Sequence, residues 1–178
     1  YDLRALLPNI LGASIPTIFS KLGNFKIRGN SFLTTSTIET DITINTELGV
    51  ILSDINLTHV NDIDNASYIG NIVFDSFDLG LLLNDPNIKT TSFDLDVDGK
   101  GFTLDNLNTQ ITGEVYAVDY NNYTYKDISV SGTLGNQVFN GFLESNDDNF
   151  KFKFNGLADL SKEGKAVDFN ATVDYANL

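Results

Sequence analysis

Phe150, Phe152 and Phe154 alternate with Lys151, Lys153 and Asn155, and this two-residue period recurs along nearly the whole chain. Ile38, Thr40, Ile42 and Ile44 alternate with Glu39, Asp41, Thr43 and Asn45. Phe93, Leu95 and Val97 alternate with Asp94, Asp96 and Asp98. The same rhythm runs through Tyr68, Gly70, Ile72 and Phe74, through Ile111, Gly113 and Val115, and through Ile128, Val130, Gly132 and Leu134. It continues in Phe139, Gly141 and Leu143 and closes with Val167, Phe169, Ala171, Val173 and Tyr175. Successive side chains of a strand point to opposite faces, so strict alternation specifies strands with one dry and one wet face. About ten such segments, separated by turn signals, predict an all-β chain with a single long, mainly antiparallel sheet.

The turn signals are Asn30-Ser31, Asn61-Asp62, Asn121-Asn122, Gly135-Asn136, Asn146-Asp147-Asp148 and Glu163-Gly164. Val50 and Leu52 sit on one parity while Ile55 and Leu57 sit on the other, which predicts a β-bulge near Asp54. Residues 1–24 form a short helical N-terminal segment: Ser14 is placed to cap a helix, Pro16 lies in its first turn, and Gly23 ends it. An earlier helical turn is expected within Leu3 to Leu11. Leu79 to Leu83 and Leu104 to Leu107 are further short helical candidates within the sheet region, residues 25–178.

Composition excludes several functions. The 24 acidic and 11 basic residues give a net charge of -13. That opposes binding to nucleic acid, which needs clustered Lys and Arg, and opposes docking on anionic lipid surfaces. There is no Cys, so no disulfide, thiol nucleophile or thiolate metal site exists. No run of about 20 apolar residues is present to span a bilayer as a helix. No secretory leader is visible, and a chain beginning at Tyr1 is expected to be a piece of a longer protein or a processed product.

Candidate chemistry is sparse. In residues 93–105, Asp94, Asp96, Asp98, Gly99 and Asp105 match much of the spacing of a helical calcium loop. The flanks alternate as strand and the final Glu is missing, so a solvated strand face is expected there. His59 is the single histidine and has no evident partners for a metal site or a triad. Sequons at Asn56, Asn65, Asn122 and Asn170 are ordinary for so Asn- and Thr-rich a chain. The expectation is no enzyme, no metal and no cofactor.

Gly70, Gly113, Gly132, Gly141 and Gly156 fall on the apolar parity. Glycine within a strand marks a bend or a close approach. Such glycines either relieve crowding where the sheet folds over its own core or leave a groove open for a ligand. At about 4.8 Å per strand, ten strands extend roughly 45 Å. An apolar face of that length must curl on itself, pack on a partner, or hold an apolar ligand.

The stretches at 14–29 (SIPTIFSKLGNFKIRG), 77–85 (FDLGLLLND), 99–113 (GKGFTLDNLNTQITG) and 125–161 (YKDISVSGTLGNQVFNGFLESNDDNFKFKFNGLADLS) resemble TamB-type proteins, those of Bacteroidetes above all. TamB belongs with the AsmA-like, bridge-type lipid-transfer proteins. The resemblance implies an internal fragment of a very long protein, folded as a curled β-taco with an apolar interior. It also implies a periplasmic conduit that moves phospholipid toward the outer membrane and assists outer-membrane biogenesis. The full protein would be anchored in the inner membrane, with an outer-membrane partner of the Omp85 class. On this reading phospholipid acyl chains lie against Ile42, Ile44, Ile72, Phe74, Leu95, Val97, Ile111, Val115, Val130, Phe139, Leu143, Phe152, Phe154, Phe169 and Val173. Two other readings predict different surfaces. A chaperone for outer-membrane β-barrel proteins would use a strand edge to pair with its clients. A β-sandwich adhesin or carbohydrate-binding module would pack its apolar faces on each other.

Overall fold

The computed structural model of the chain describes residues 17–62, 65–102, 106–161 and 167–177. Its strands are β1 (Lys26–Leu33), β2 (Thr37–Asn45), β3 (Val50–Thr58), β4 (Ser67–Asp78), β5 (Ile88–Lys100), β6 (Asn108–Tyr120), β7 (Tyr123–Gly135), β8 (Val138–Asn146), β9 (Phe150–Asp159) and β10 (Val167–Ala176). They form one antiparallel sheet in strictly sequential order, with β1 and β10 as its edges. The fold is therefore an open meander and not the two packed sheets of a sandwich.

Local chemistry sets the connections. Asn121 and Asn122 both take positive φ, as do Asn136 and Gln137. These are the backbone conformations of two-residue hairpin turns, whose twist matches that of the strands they join. The second turn lies one residue later than the Gly135-Asn136 signal. Asn30 and Ser31 belong to β1 rather than to a turn; the chain reverses after Leu33, where the Thr34 hydroxyl accepts from the Ser36 and Thr37 amides. Glu163-Gly164 lies outside the described residues.

The expected bulge near Asp54 is absent. β3 pairs in unbroken register with both β2 and β4 from Val50 to Thr58. Ile51, Ser53, Ile55 and Leu57 share one face, while Val50 and Leu52 stand on the opposite one, where Leu52 is exposed. Apolar residues on both sides of the strand imitated a change of phase. True register shifts occur elsewhere: between Phe74 and Phe77 in β4, between Ile88 and Thr91 in β5, at Tyr116 in β6, where Val115 and Ala117 pair with Phe93 and Ser92, and between Val173 and Tyr175 in β10. The last pairs Tyr175 with Lys151, so Tyr175 leaves the parity of Val173.

The N-terminal helix is reduced to a 3-10 turn, Thr17–Leu22, with Gly23 following at φ 66°. Ser14, Pro16 and Leu3 to Leu11 lie outside the described residues. The helix expected at Leu79 to Leu83 is present as α1 (Leu79–Leu83), capped by Asp78, whose carboxylate accepts the Leu81 amide at 2.8 Å. Of the Leu104 to Leu107 candidate, 104 and 105 lie outside the described residues, and Leu107 immediately precedes β6.

The 3-10 turn and α1 meet at one end of the sheet. Lys21 donates from Nζ to the Leu82 carbonyl at 2.6 Å, and the Glu47 amide donates to the Leu22 carbonyl at 3.2 Å. Leu22 and Phe77 are buried there. At the opposite end Val60 and Ala66 are buried, and the rings of Tyr68 and Phe102 lie 5.4 Å apart.

Candidate functional site: the apolar face

Directly paired residues of an antiparallel sheet project to the same face, so the register tells which side chains stand together. One row crosses all ten strands: Gly29, Ile42, Ser53, Ile72, Leu95, Gly113, Val130, Leu143, Phe154 and Ala171. A parallel row holds Ile27, Ile44, Ile51, Phe74, Phe93, Val115, Ile128, Ser145, Phe152 and Val173. On the other side of the first row lie Ile55, Gly70, Val97, Ile111, Gly132, Gly141, Gly156 and Phe169. Next to them come Ile38, Leu57, Tyr68, Gly99, Thr109, Leu134, Phe139, Ala158 and Val167. Every residue that the sequence placed against acyl chains therefore stands on this single face.

The face is covered unevenly. Val130 and Phe139 are 7% and 6% exposed, whereas Phe169 and Val173 at the β10 edge are 47% and 57% exposed. Most of the other predicted contact residues are half-buried by their neighbours within the sheet. β1 to β3 present Ile and Leu, while β7 to β10 carry linked rings. Phe139, Phe154 and Phe169 follow one another at centroid distances of 6.3 and 5.2 Å. Tyr125, Phe150 and Phe152 follow at 5.6 and 4.9 Å.

The glycines have a definite geometry. Gly132, Gly141 and Gly156 pair directly across β7, β8 and β9. A Cβ on Gly132 or on Gly141 would meet the ring of Phe139 at 2.9 Å. The shelf made by these two glycines is thus filled by an aromatic ring of the same sheet. Gly70, at φ 149°, occupies a conformation that side chains rarely adopt, and a Cβ there would run into the Asp54 carbonyl oxygen. The glycine room on this face is taken up by neighbouring ring and backbone at these positions.

Sequence reasoning missed Phe77, which is fully buried. The bulge after Phe74 returns Phe77 to the dry side, opposite Thr91, and its ring sits 4.4 Å from that of Phe74. Phe74 also stacks on Phe93 at 4.4 Å. An odd spacing of three residues hid this cluster from a search for alternation. Ile51, Ile55 and Leu57 were missed because the phase of β3 was misread.

The opposite face is polar and acidic. Asp94, Asp96 and Asp98 stand there in extended β5, and the Asn71 amide nitrogen donates to Asp94 Oδ1 at 2.7 Å and to Asp96 Oδ1 at 3.0 Å. A shallow depression of about 510 Å³ opens between Asp54, Asn71, Asp96 and Gln110. A second, of about 420 Å³, lies among Asn30, Glu39, Asp41 and Asn56. Among the described residues no three His, Asp or Glu side chains converge on a point where a metal could sit. His59 is exposed at the end of β3. Asn56 and Asn170 lie within strands, and Asn65 and Asn122 in turns.

Two ionisable groups are held by the β8–β9 turn. Asp147 is buried. Burial raises its pKa, but this is outweighed by hydrogen bonds from the Tyr123 hydroxyl at 2.6 Å and from the Asn149, Lys126 and Phe150 amides at 2.8, 3.0 and 3.2 Å, so the carboxyl sits below its ordinary range. The same bond to Asp147 pushes the Tyr123 hydroxyl up. Burial likewise raises Tyr68, on the apolar face.

Among the described residues no helix is long and apolar enough to cross a membrane. Comparison with family models, with curated proteins and with solved structures finds no match to this chain.

Proposed function

We propose that the apolar face shields phospholipid acyl chains from water, as one segment of a curled, periplasmic conduit between the inner and outer membranes. The observation that carries this reading is the set of apolar rows running across all ten strands of a sheet that has no second sheet to cover it among the described residues. A soluble protein that leaves so long an apolar face without a covering layer needs something to lie on it. Acyl chains suit it because they require only a continuous dry surface, at about 0.8 kcal/mol per methylene removed from water. No chemical step is needed, so the chain acts as a non-enzymatic carrier, without a cofactor. The acidic opposite face keeps it in solution. Outer-membrane biogenesis and an Omp85-class partner belong to this proposal through the TamB resemblance.

Native mass spectrometry of the purified protein, together with crosslinking to a diazirine-bearing phospholipid, tests the reading. Bound lipid is expected, along with its loss in Val97→Asp and Phe154→Asp, whose new charges would lie on the dry face. Asn170→Ser, on the polar face of the edge strand, should leave binding unchanged. A purified protein that carries and captures no lipid would remove the proposal.

A further inference from the structure

The tyrosines of the apolar face gather at one margin, around the β6–β7 turn. Tyr120 pairs there with Tyr123, and Val118 with Tyr125, so partners share a face. The ring of Tyr125 lies 4.6 Å from that of Tyr123 and 5.6 Å from that of Phe150, which in turn lies 4.9 Å from Phe152. That chain of contacts puts the three tyrosines on the dry side. Farther in along the strands the rings are phenylalanine: Phe152, Phe154 and Phe139. Tyrosine differs from phenylalanine by a hydroxyl that seeks a polar partner, so it suits the line where an apolar surface meets water.

The hydroxyls at this margin are available. Tyr123 donates to Asp147 at 2.6 Å. Tyr120 is 43% exposed, and neither its hydroxyl nor that of Tyr125 has a hydrogen-bond partner among the described residues. No buried side-chain oxygen of the described residues is left unpaired, so the Tyr125 hydroxyl reaches solvent. Lys89 is exposed at the same margin, its Nζ 3.4 Å from Asn122 Oδ1 in the turn. The other margin differs. Tyr68 is half-buried there, its ring 5.4 Å from that of Phe102, and burial pushes its hydroxyl up.

Depth agrees with a lipid standing on the tyrosine margin. Tyr125 to Val130 spans about 16 Å at about 3.3 Å per residue of strand. Half of the roughly 30 Å hydrocarbon core of a bilayer is about 15 Å. An acyl chain that starts level with Tyr125 therefore ends near the row of Val130, Leu143 and Phe154.

We infer, building on the acyl-chain role proposed above, that phospholipids lie on this face with one polarity. Their phosphate groups stand at the β6–β7 margin, accepting hydrogen bonds from Tyr120, Tyr125 and Lys89, and their acyl chains run along the strands toward Val130 and Phe154.

Two diazirine-bearing phospholipids test this with the full chain, one carrying the group in its headgroup and the other at the end of an acyl chain. Crosslinks are mapped by mass spectrometry of the digested protein. The headgroup probe is expected on Lys89 and on residues 116–126, and the acyl probe around Val130, Leu143 and Phe154. In Y120F/Y125F, which keeps both rings, headgroup capture at the margin should fall about tenfold, as for the loss of two ordinary hydrogen bonds, while acyl capture on the dry face persists. Headgroup crosslinks at the Tyr68 margin, or shared equally between the two margins, with the acyl probe still on the dry face, would overturn the polarity and leave the acyl-chain role standing. So would undiminished headgroup capture by the variant. Capture of neither probe would remove the acyl-chain role and the polarity with it.

Discussion

The ring of Phe139 lies 2.9 Å from where a Cβ on Gly141 would stand. Phe139 is 6% exposed although no second sheet covers it among the described residues; its ring lies against Gly132 and Gly141. Adding methyl groups to the shelf should lift the ring. Gly141→Val is therefore expected to destabilise the fold by about 1–3 kcal/mol through overpacking. Phe139→Ala should cost about 3–5 kcal/mol. In urea denaturation the double variant should lose less than the sum of the two only by the part due to the ring, since the valine still meets the Ser131 carbonyl oxygen and the Gly132 Cα once Phe139 is gone.

Gly70→Ala addresses backbone rather than ring. The φ of 149° and the Asp54 carbonyl oxygen both stand against a Cβ. The expected loss is about 1–3 kcal/mol from strain, with local disruption of the β3–β4 pairing. Amide exchange of Asn71 and Ile72 should quicken more than that of residues in β8.

Asp147 predicts an acid limb of stability. Its folded pKa is depressed, so its contribution is present above the unfolded value of about 3.9 and is lost as pH falls through the folded one. Asp147→Asn should reduce stability at neutral pH by about 1–3 kcal/mol, as amide donors lose a charged acceptor. Melting temperatures of wild type and variant should converge on acidification below about pH 4. Tyr123 behaves oppositely: its raised pKa means that its contribution holds below the ordinary tyrosine value of about 10 and fades as pH rises past it.

Lys153 and Glu144 form a cross-strand ion pair at 3.0 Å on the polar face. The lysine is well exposed, and pairs of this kind contribute little to stability. Lys153→Ala should therefore change the urea midpoint little, and high salt should erase the difference. A large effect would show that the polar face is more tightly organised than its exposure implies.

Much of the architecture was legible from alternation alone, because Phe93, Leu95 and Val97 against Asp94, Asp96 and Asp98 leave a strand no choice of face. Which residues share that face was therefore readable. Which residues pair across it was not, since register depends on turns and bulges that carry weak sequence signals. The shift that buries Phe77 turns on Ser76 at φ 50°, and nothing in an Asp-Ser-Phe run announces it. The misplaced bulge in β3 has the reverse cause: Val50 and Leu52 are apolar yet face the polar side. Asn30 and Ser31 mimicked a turn because β1, an edge strand, is polar on both sides at its middle. The role of Gly132 and Gly141 as a shelf for Phe139 depends on cross-strand geometry that spacing cannot supply.

Because each strand hydrogen-bonds only to its neighbours in sequence, the sheet behaves thermodynamically as a chain of nearest-neighbour links. Loss of one strand weakens the two beside it and leaves distant ones intact. Cooperativity should therefore be limited in range, with exchange protection greatest around β5 to β7 and falling toward both margins. Such a sheet can fray, lengthen or shorten by whole strands without any change in topology, and its stability grows with the number of links rather than with the closure of a core.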